Sequence, residues 1–328
     1  MQLPAGAEAR KIVQYCRCGK PFKAGMDAYC VQCGFEARAS SAGSGAAPNS
    51  GADPRPGFIS AEALRSSGET IALFLGVGLF AISWVVFDVA TEAIPLLAAT
   101  CGLIGYVVYQ QGAVKGSSLA VTSRSFAEIN ALAQTAAVRL GIGKPDLFIR
   151  HSHELNAYAL GVLTSSCVVL HSETVHALTD APKELQFIIG HEFTHIKCSH
   201  VLWQTVAASN PILGRIPVLN HVLPLFFRWW SRQAEYTADR GGLIACKDLA
   251  ASQRALARLV IGPKLFDRVN LEEFIKQAHN GDLSTRASEL FSTHPLLAKR
   301  LLALAKFAQS PLGTYALRAD ANAASASV

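Results

Sequence analysis

Residues 190 to 200 read GHEFTHIKCSH, and the spacing in this stretch constrains the chain more than any other feature. Two histidines four apart share one face of a helix, about one turn from each other. His191 and His195 can therefore aim imidazole nitrogens at a single ion if the segment is helical. Glu192 is poorly aimed to ligate that ion, but it is well placed to hold a water beside it and take its proton. Asp180 and Pro182 form a start signal, so a helix is predicted over roughly 182 to 207.

A catalytic zinc ion needs three protein ligands and one open position. The stretch SRQAEYTADRGG, residues 231 to 242, offers the third. Glu235 and Asp239 are again four apart on a predicted helix, which is expected to stop at Gly241. Glu235 is the expected ligand. Asp239 is placed to accept the outer N–H of a ligand histidine. His200 lies five residues beyond His195, off the ligand face, and is not expected to bind metal. His151 and His153 read as solvated turn residues, and His171, His176, His221 and His279 carry no partner pattern.

A second metal site is expected near the start. Cys16, Cys18, Cys30 and Cys33 lie in YCRCGKPFKAGMDAYCVQCG, residues 15 to 34. Gly19 and Gly34 follow the two pairs and let each knuckle turn back. Four thiolates close a tetrahedron around a structural zinc and leave no place for water. The other four of the eight cysteines are scattered and read as small buried hydrophobes. This uneven use points to a reducing compartment. Residues 37 to 57 are mostly Ala, Ser, Gly and Pro, a linker composition.

Half of the residues are hydrophobic and 16% are charged, an apolar balance for a soluble domain. Much of the excess sits in two uncharged runs, residues 70 to 87 and 93 to 109. Each is near the lower length of a membrane helix, with Trp84, Tyr106 and Tyr109 near the ends. They read as a transmembrane helical hairpin. Arg55, Arg65, Lys115 and Arg124 flank it while the turn carries only Asp88 and Glu92, so both ends are expected to face the cytoplasm. The net charge of +6 comes without a basic run, which argues against a nucleic-acid partner.

The expected organisation is a four-cysteine zinc ribbon (1–36), a flexible linker (37–66), a transmembrane hairpin (67–112) and a globular domain (120–328). Helical periodicity covers 125 to 143, and short strands are predicted at 146–150, 156–161 and 166–172. The class is α+β, mainly helical with a small sheet. Residues 201 to 230 are apolar but interrupted by Arg215, Pro217, His221 and Pro224. They are expected to form a helix end and a loop or short helix against a membrane, with Trp229 and Trp230 at its interface, or else a lid.

HEFTH, the later EYTAD, the upstream HELNAYALG and the downstream STHPLLAKR occur in the order seen in one family. On these residues the chain resembles the HtpX and CAAX prenyl protease family of membrane-bound zinc metallopeptidases, over roughly 120 to 310. The resemblance implies a gluzincin fold, with the active-site helix beside a sheet whose edge strand binds an extended peptide. It matches His191, His195 and Glu235 to the ligands and Glu192 to the general base. It matches His294 and Arg300 to a downstream element in which the histidine stabilises an oxyanion. It also places Asn156 near the cleft, with Ala157 and Tyr158 on the substrate-binding strand. The ribbon and linker are not part of that family's core, and 201 to 230 lacks the two clean spans expected of HtpX-like members.

The function expected from sequence is a multi-pass inner-membrane zinc endopeptidase acting on protein or peptide substrates, with one catalytic and one structural Zn2+. Membrane protein quality control or processing is the expected role. Two other readings stay open: a catalytically degenerate membrane adaptor that docks partners through the ribbon, and a processing enzyme for prenylated C-termini. Oligomeric state is not encoded in any feature of the chain.

Overall fold

The computed structural model describes residues 59–91, 94–162, 165–208, 217–266, 268–270, 272–274, 292 and 294–325. For 80, 83–91, 94–100, 103, 104, 162, 165, 205–208, 217–223 and 319–325 it describes the backbone alone. The four-cysteine segment expected to hold a structural zinc lies outside the described residues.

The described chain opens with a short helix α1 (Ala61–Leu64) and two long ones, α2 (Ser67–Thr91) and α3 (Ile94–Ser117). Then come β1 (Leu119–Ala120), α4 (Ala127–Leu140), β2 (Asp146–Arg150), β3 (Ala157–Val162), β4 (Ser165–His171) and α5 (Ser172–Ala177). The remainder is helical: α6 (Pro182–Lys197), α7 (His200–Ala208), α8 (Pro217–Cys246), α9 (Leu249–Ile261), α10 (Pro263–Phe266), α11 (Leu297–Gln309) and α12 (Pro311–Ser325). This is the mainly helical α+β arrangement read from sequence.

The sheet order is β1-β2-β4-β3. β2 and β4 are parallel, with Phe148 opposite Val169, while β3 and β4 form an antiparallel hairpin with Ala159 opposite Val168. Both central strands bury Leu147, Ile149, Val168 and Leu170 against the main core. β3 is left at the edge of the described sheet.

α6 occupies the middle of the domain. Pro182 sets its first turn, and every residue from Glu184 to His195 is buried. Such a helix is surrounded by protein on all sides rather than amphipathic. The helix expected to continue to 207 breaks after Lys197. Ser199 takes a left-handed conformation (φ 59°), which ends α6 and lets α7 restart at His200 in a new direction.

α8 packs closely on α6. A Cβ on Gly190 would overlap the Ala245 Cβ, and one on Gly241 would overlap the Thr194 side chain. Glycine here provides close approach. The helix expected to stop at Gly241 therefore runs on to Cys246, because Gly241 and Gly242 serve an interhelical contact rather than a terminus.

Helices α2 and α3 dock on different parts of the domain. α2 packs Ala72 against Trp230 and Ala234 of α8. Trp230 is 2% exposed, so this tryptophan does not lie at a membrane interface; its indole fills the α2–α8 seam. α3 places Val114 against Phe148, Cys167 and Val169 on the sheet face away from α6. The end of the expected linker is folded too: Leu64 is fully buried, and Arg240 donates to the Leu64 and Arg65 carbonyls. Among the described residues no helix is long and apolar enough to cross a membrane. The spans expected over 70–87 and 93–109 fall partly outside the described side chains. Those that are described leave Ile71, Phe74, Leu75, Ile82, Tyr106, Val108 and Tyr109 exposed.

Candidate metal centre

The α6–α8 contact brings three donors together. His191 Nε2 lies 3.1 Å from His195 Nε2. Glu235 on α8 places Oε2 3.7 Å from His191 Nε2 and Oε1 3.6 Å from His195 Nε2. Zinc bonds of about 2.05 Å in a tetrahedron put neighbouring donors about 3.3 Å apart, so the triad is sized for such an ion. Among the described residues these three form a group able to hold a metal.

The surrounding groups fix which atoms face the ion. His191 Nδ1 lies 3.1 Å from Asp239 Oδ1. A carboxylate only accepts, so His191 donates Nδ1–H and keeps its Nε2 lone pair free. Arg300 on α11 clamps Asp239 through two bonds of 2.9 and 2.6 Å and also reaches Glu235 Oε2 at 3.2 Å. His294 Nδ1 lies 3.2 Å from the same oxygen. That leaves Glu235 Oε1 turned towards His195. The loop carrying His294 is held by Arg232, which donates to the Ser292 carbonyl at 2.7 Å.

Electrostatics follow from burial and neighbours. Burial disfavours an ionised Glu235, yet Arg300 and His294 hold its carboxyl well below the usual carboxylate range. Burial, with His191 and His200 nearby, holds His195 well below its ordinary value, so it is a neutral donor. Glu192 is pushed up to about 7, chiefly by burial. The backbone of Ala159 on the edge strand lies beside its carboxyl and partly opposes this rise.

These groups line a cleft of about 410 Å³. One wall is Leu155 to Ala159, entering and following β3; the floor is His191, Glu192, His195 and Glu235; His294 and Arg300 close the far side. Asn156, Ala157 and Tyr158 all lie on the cleft wall. The Asn156 side chain folds back to accept from the Ala157 N–H at 2.9 Å, and the backbone carbonyl of Asn156 accepts from the Thr174 hydroxyl at 2.8 Å. The start of the strand is thereby anchored. Phe187, Ile188, Val201, Leu256 and Leu259 give the cleft an apolar side.

Two groups escaped sequence reading. His200 Nδ1 lies 3.0 Å from His195 Nδ1, and its Nε2 lies 2.9 Å from Glu69 Oε1 on α2. The signals were present: an acid at the edge of an otherwise uncharged run, and a third histidine after the pair. What brings them together is the α6–α7 break, which helical periodicity does not forecast.

A helix-borne histidine pair completed by a carboxylate from a second helix, with a buried glutamate between metal and edge strand, defines a metallopeptidase type of centre. The chain belongs to peptidase family M48, whose family model matches residues 123–212 and 207–308. It is 32% identical over 176 residues to the chloroplastic plastoglobule-localized metallopeptidase 48 of Arabidopsis thaliana, a match covering 51% of this chain and 50% of that protein. It is 27% identical over 204 residues to protease HtpX of Haemophilus influenzae strain PittEE, covering 51% of this chain and 69% of that protein. The match thus spans half the length of the first relative.

Proposed function

We propose that the protein is a membrane-anchored zinc endopeptidase that cleaves extended segments of proteins or peptides. The observation that carries this reading is the convergence of His191, His195 and Glu235 at zinc-ligand spacing, with Glu192 poised between them and the edge strand β3. A zinc ion held there would lower the pKa of a water and polarise the scissile carbonyl.

The chain's own residues do the rest. Glu192, raised towards neutrality by burial, takes the water's proton and returns it to the leaving amine. The peptide adds to the outer rim of β3 beside Asn156, Ala157 and Tyr158, with main-chain bonds that tolerate varied sequence. Phe187, Ile188 and Leu256 favour an apolar substrate side chain next to the scissile bond. His294 orients Glu235 through Nδ1, and its Nε2 is the nitrogen that meets the oxyanion. Asp239 and Arg300 hold the ligands in place.

Anchorage is read from the uncharged runs in α2 and α3 and from the apolar side chains they leave exposed. The flanking basic residues support a cytoplasmic side of the inner membrane for ribbon and protease domain. Substrates are then membrane or misfolded proteins, and the role is quality control or processing. Cys16, Cys18, Cys30 and Cys33 hold a second, structural zinc. In full-length protein in detergent, Glu192→Gln is expected to abolish casein cleavage while zinc content stays that of the unmodified chain. Retained cleavage refutes the mechanism.

A further inference from the structure

We infer that Glu69 and His200 are positioning residues for the metal centre, and that through them helix α2 supports the ligand His195. This rests on the reading of His191, His195 and Glu235 as a metal-holding set.

The chain of bonds fixes every tautomer in turn. Glu69, when ionised, can only accept, so His200 donates Nε2–H to it across 2.9 Å. The tautomer of His200 that carries its proton on Nε2 offers Nδ1 as an acceptor. His195 Nδ1, 3.0 Å away, must therefore donate its proton. The lone pair of His195 is left on Nε2, the nitrogen 3.1 Å from its counterpart on His191 and 3.6 Å from Glu235 Oε1. Asp239 produces the same outcome directly at His191. The two ligands thus have unlike supports, one a carboxylate and the other a carboxylate acting through a second imidazole.

The burial argues for purpose. Glu69 and His200 are both 0% exposed, and a buried carboxylate is costly unless each oxygen is engaged. Thr237 donates to Glu69 Oε2, and Arg65 Nε lies 3.4 Å from Oε1. The first turn of a helix also favours a negative charge. Trp230 holds the His200 ring edge-on, with centroids 5.9 Å apart. Thr237 and Arg65 thus hold this carboxylate against His200, behind the ligand.

The test uses full-length chain in detergent with Cys16→Ser and Cys18→Ser, so that the cysteine segment adds no second metal. Zinc affinity is measured by chelator competition, and the visible spectrum is recorded with cobalt(II) in place of zinc. His200→Ala and Glu69→Ala are each expected to weaken zinc binding roughly 10- to 100-fold and to shift the cobalt bands. The double variant is expected to be no weaker than the worse single one, as for two links of one chain. Ser66→Ala removes only the bonds from Ser66 Oγ to Gln233 and is expected to change neither readout. Should His200→Ala not fold, Glu69→Ala carries the test alone. Unmodified affinity and spectrum in the folded variants overturn the inference, as does an equal loss in Ser66→Ala, which would mean that docking of α2 alone matters. Zinc binding without casein cleavage in the parent chain would instead count against the endopeptidase reading and leave this result standing.

Discussion

Gly190 and Ala245 offer a direct test of how the centre is assembled. A methyl on Gly190 would overlap the Ala245 Cβ, well inside the about 3.5–4.0 Å at which carbons rest. The helices would have to part by about 1 Å. Metal–ligand distances tolerate only about 0.2 Å, so Glu235 would move out of reach of the histidines. Gly190→Ala is expected to lose about 1–3 kcal/mol to overpacking, partly offset by about 1 kcal/mol of helix propensity. Ala245→Gly alone costs about 1 kcal/mol in propensity and about 0.8 kcal/mol for the lost buried methyl. In the double variant the methyl merely changes helix. The propensity effects cancel, and the nearest remaining neighbours of the new Cβ are Gly242 Cα at 3.2 Å and the Gly241 carbonyl at 3.3 Å. The double variant should therefore lie within about 1 kcal/mol of the parent and recover the zinc affinity that Gly190→Ala loses. Urea unfolding followed by tryptophan fluorescence, with zinc titration alongside, reads both quantities. If Gly190→Ala keeps parental stability and affinity, or if the two changes simply add, the close approach of α6 and α8 does not set the ligand geometry.

Two further outcomes are expected. Asp239→Asn cannot serve His191 and Arg300 together as the carboxylate does, and zinc affinity measured by chelator competition should fall about 10- to 100-fold. Ser199→Gly relieves a left-handed conformation that costs a non-glycine residue about 1–2 kcal/mol; unfolding measurements should show a gain of about 0.5–1 kcal/mol after glycine's extra entropy is counted, with zinc affinity unchanged.

The donor triad was legible because helical spacing is a local property. Residues four apart on α6, and again on α8, needed only helix formation to share a face. The strands were legible for the same reason, through short β-rich runs between turn residues. The termini and junctions were harder to read. Gly241 and Gly242 looked like a stop because glycine is read as a chain property, whereas here it answers to a neighbouring helix 50 residues away in sequence. Trp230 looked interfacial beside Arg228 and Arg232, but its place is decided by Ala72 of α2, which leaves room for an indole. His200 was set aside because an unbroken helix would rotate it away from the ligand face. The left-handed Ser199 turn redirects the chain, and tertiary contact with Glu69 does the rest.

The docking of α2 on α8 bears on how such a protein can be divided. A fragment starting at residue 118 would hold all three donors and both clamping residues, Asp239 and Arg300, so it would look complete by its motifs. It would nonetheless lack the acid that stands behind His200, and it would bare the Trp230 seam to water. Helix α2, which precedes the family-matched region, is thus also one of the structural walls of the catalytic domain, and trimming the chain to its motifs would take away part of what aims the second histidine.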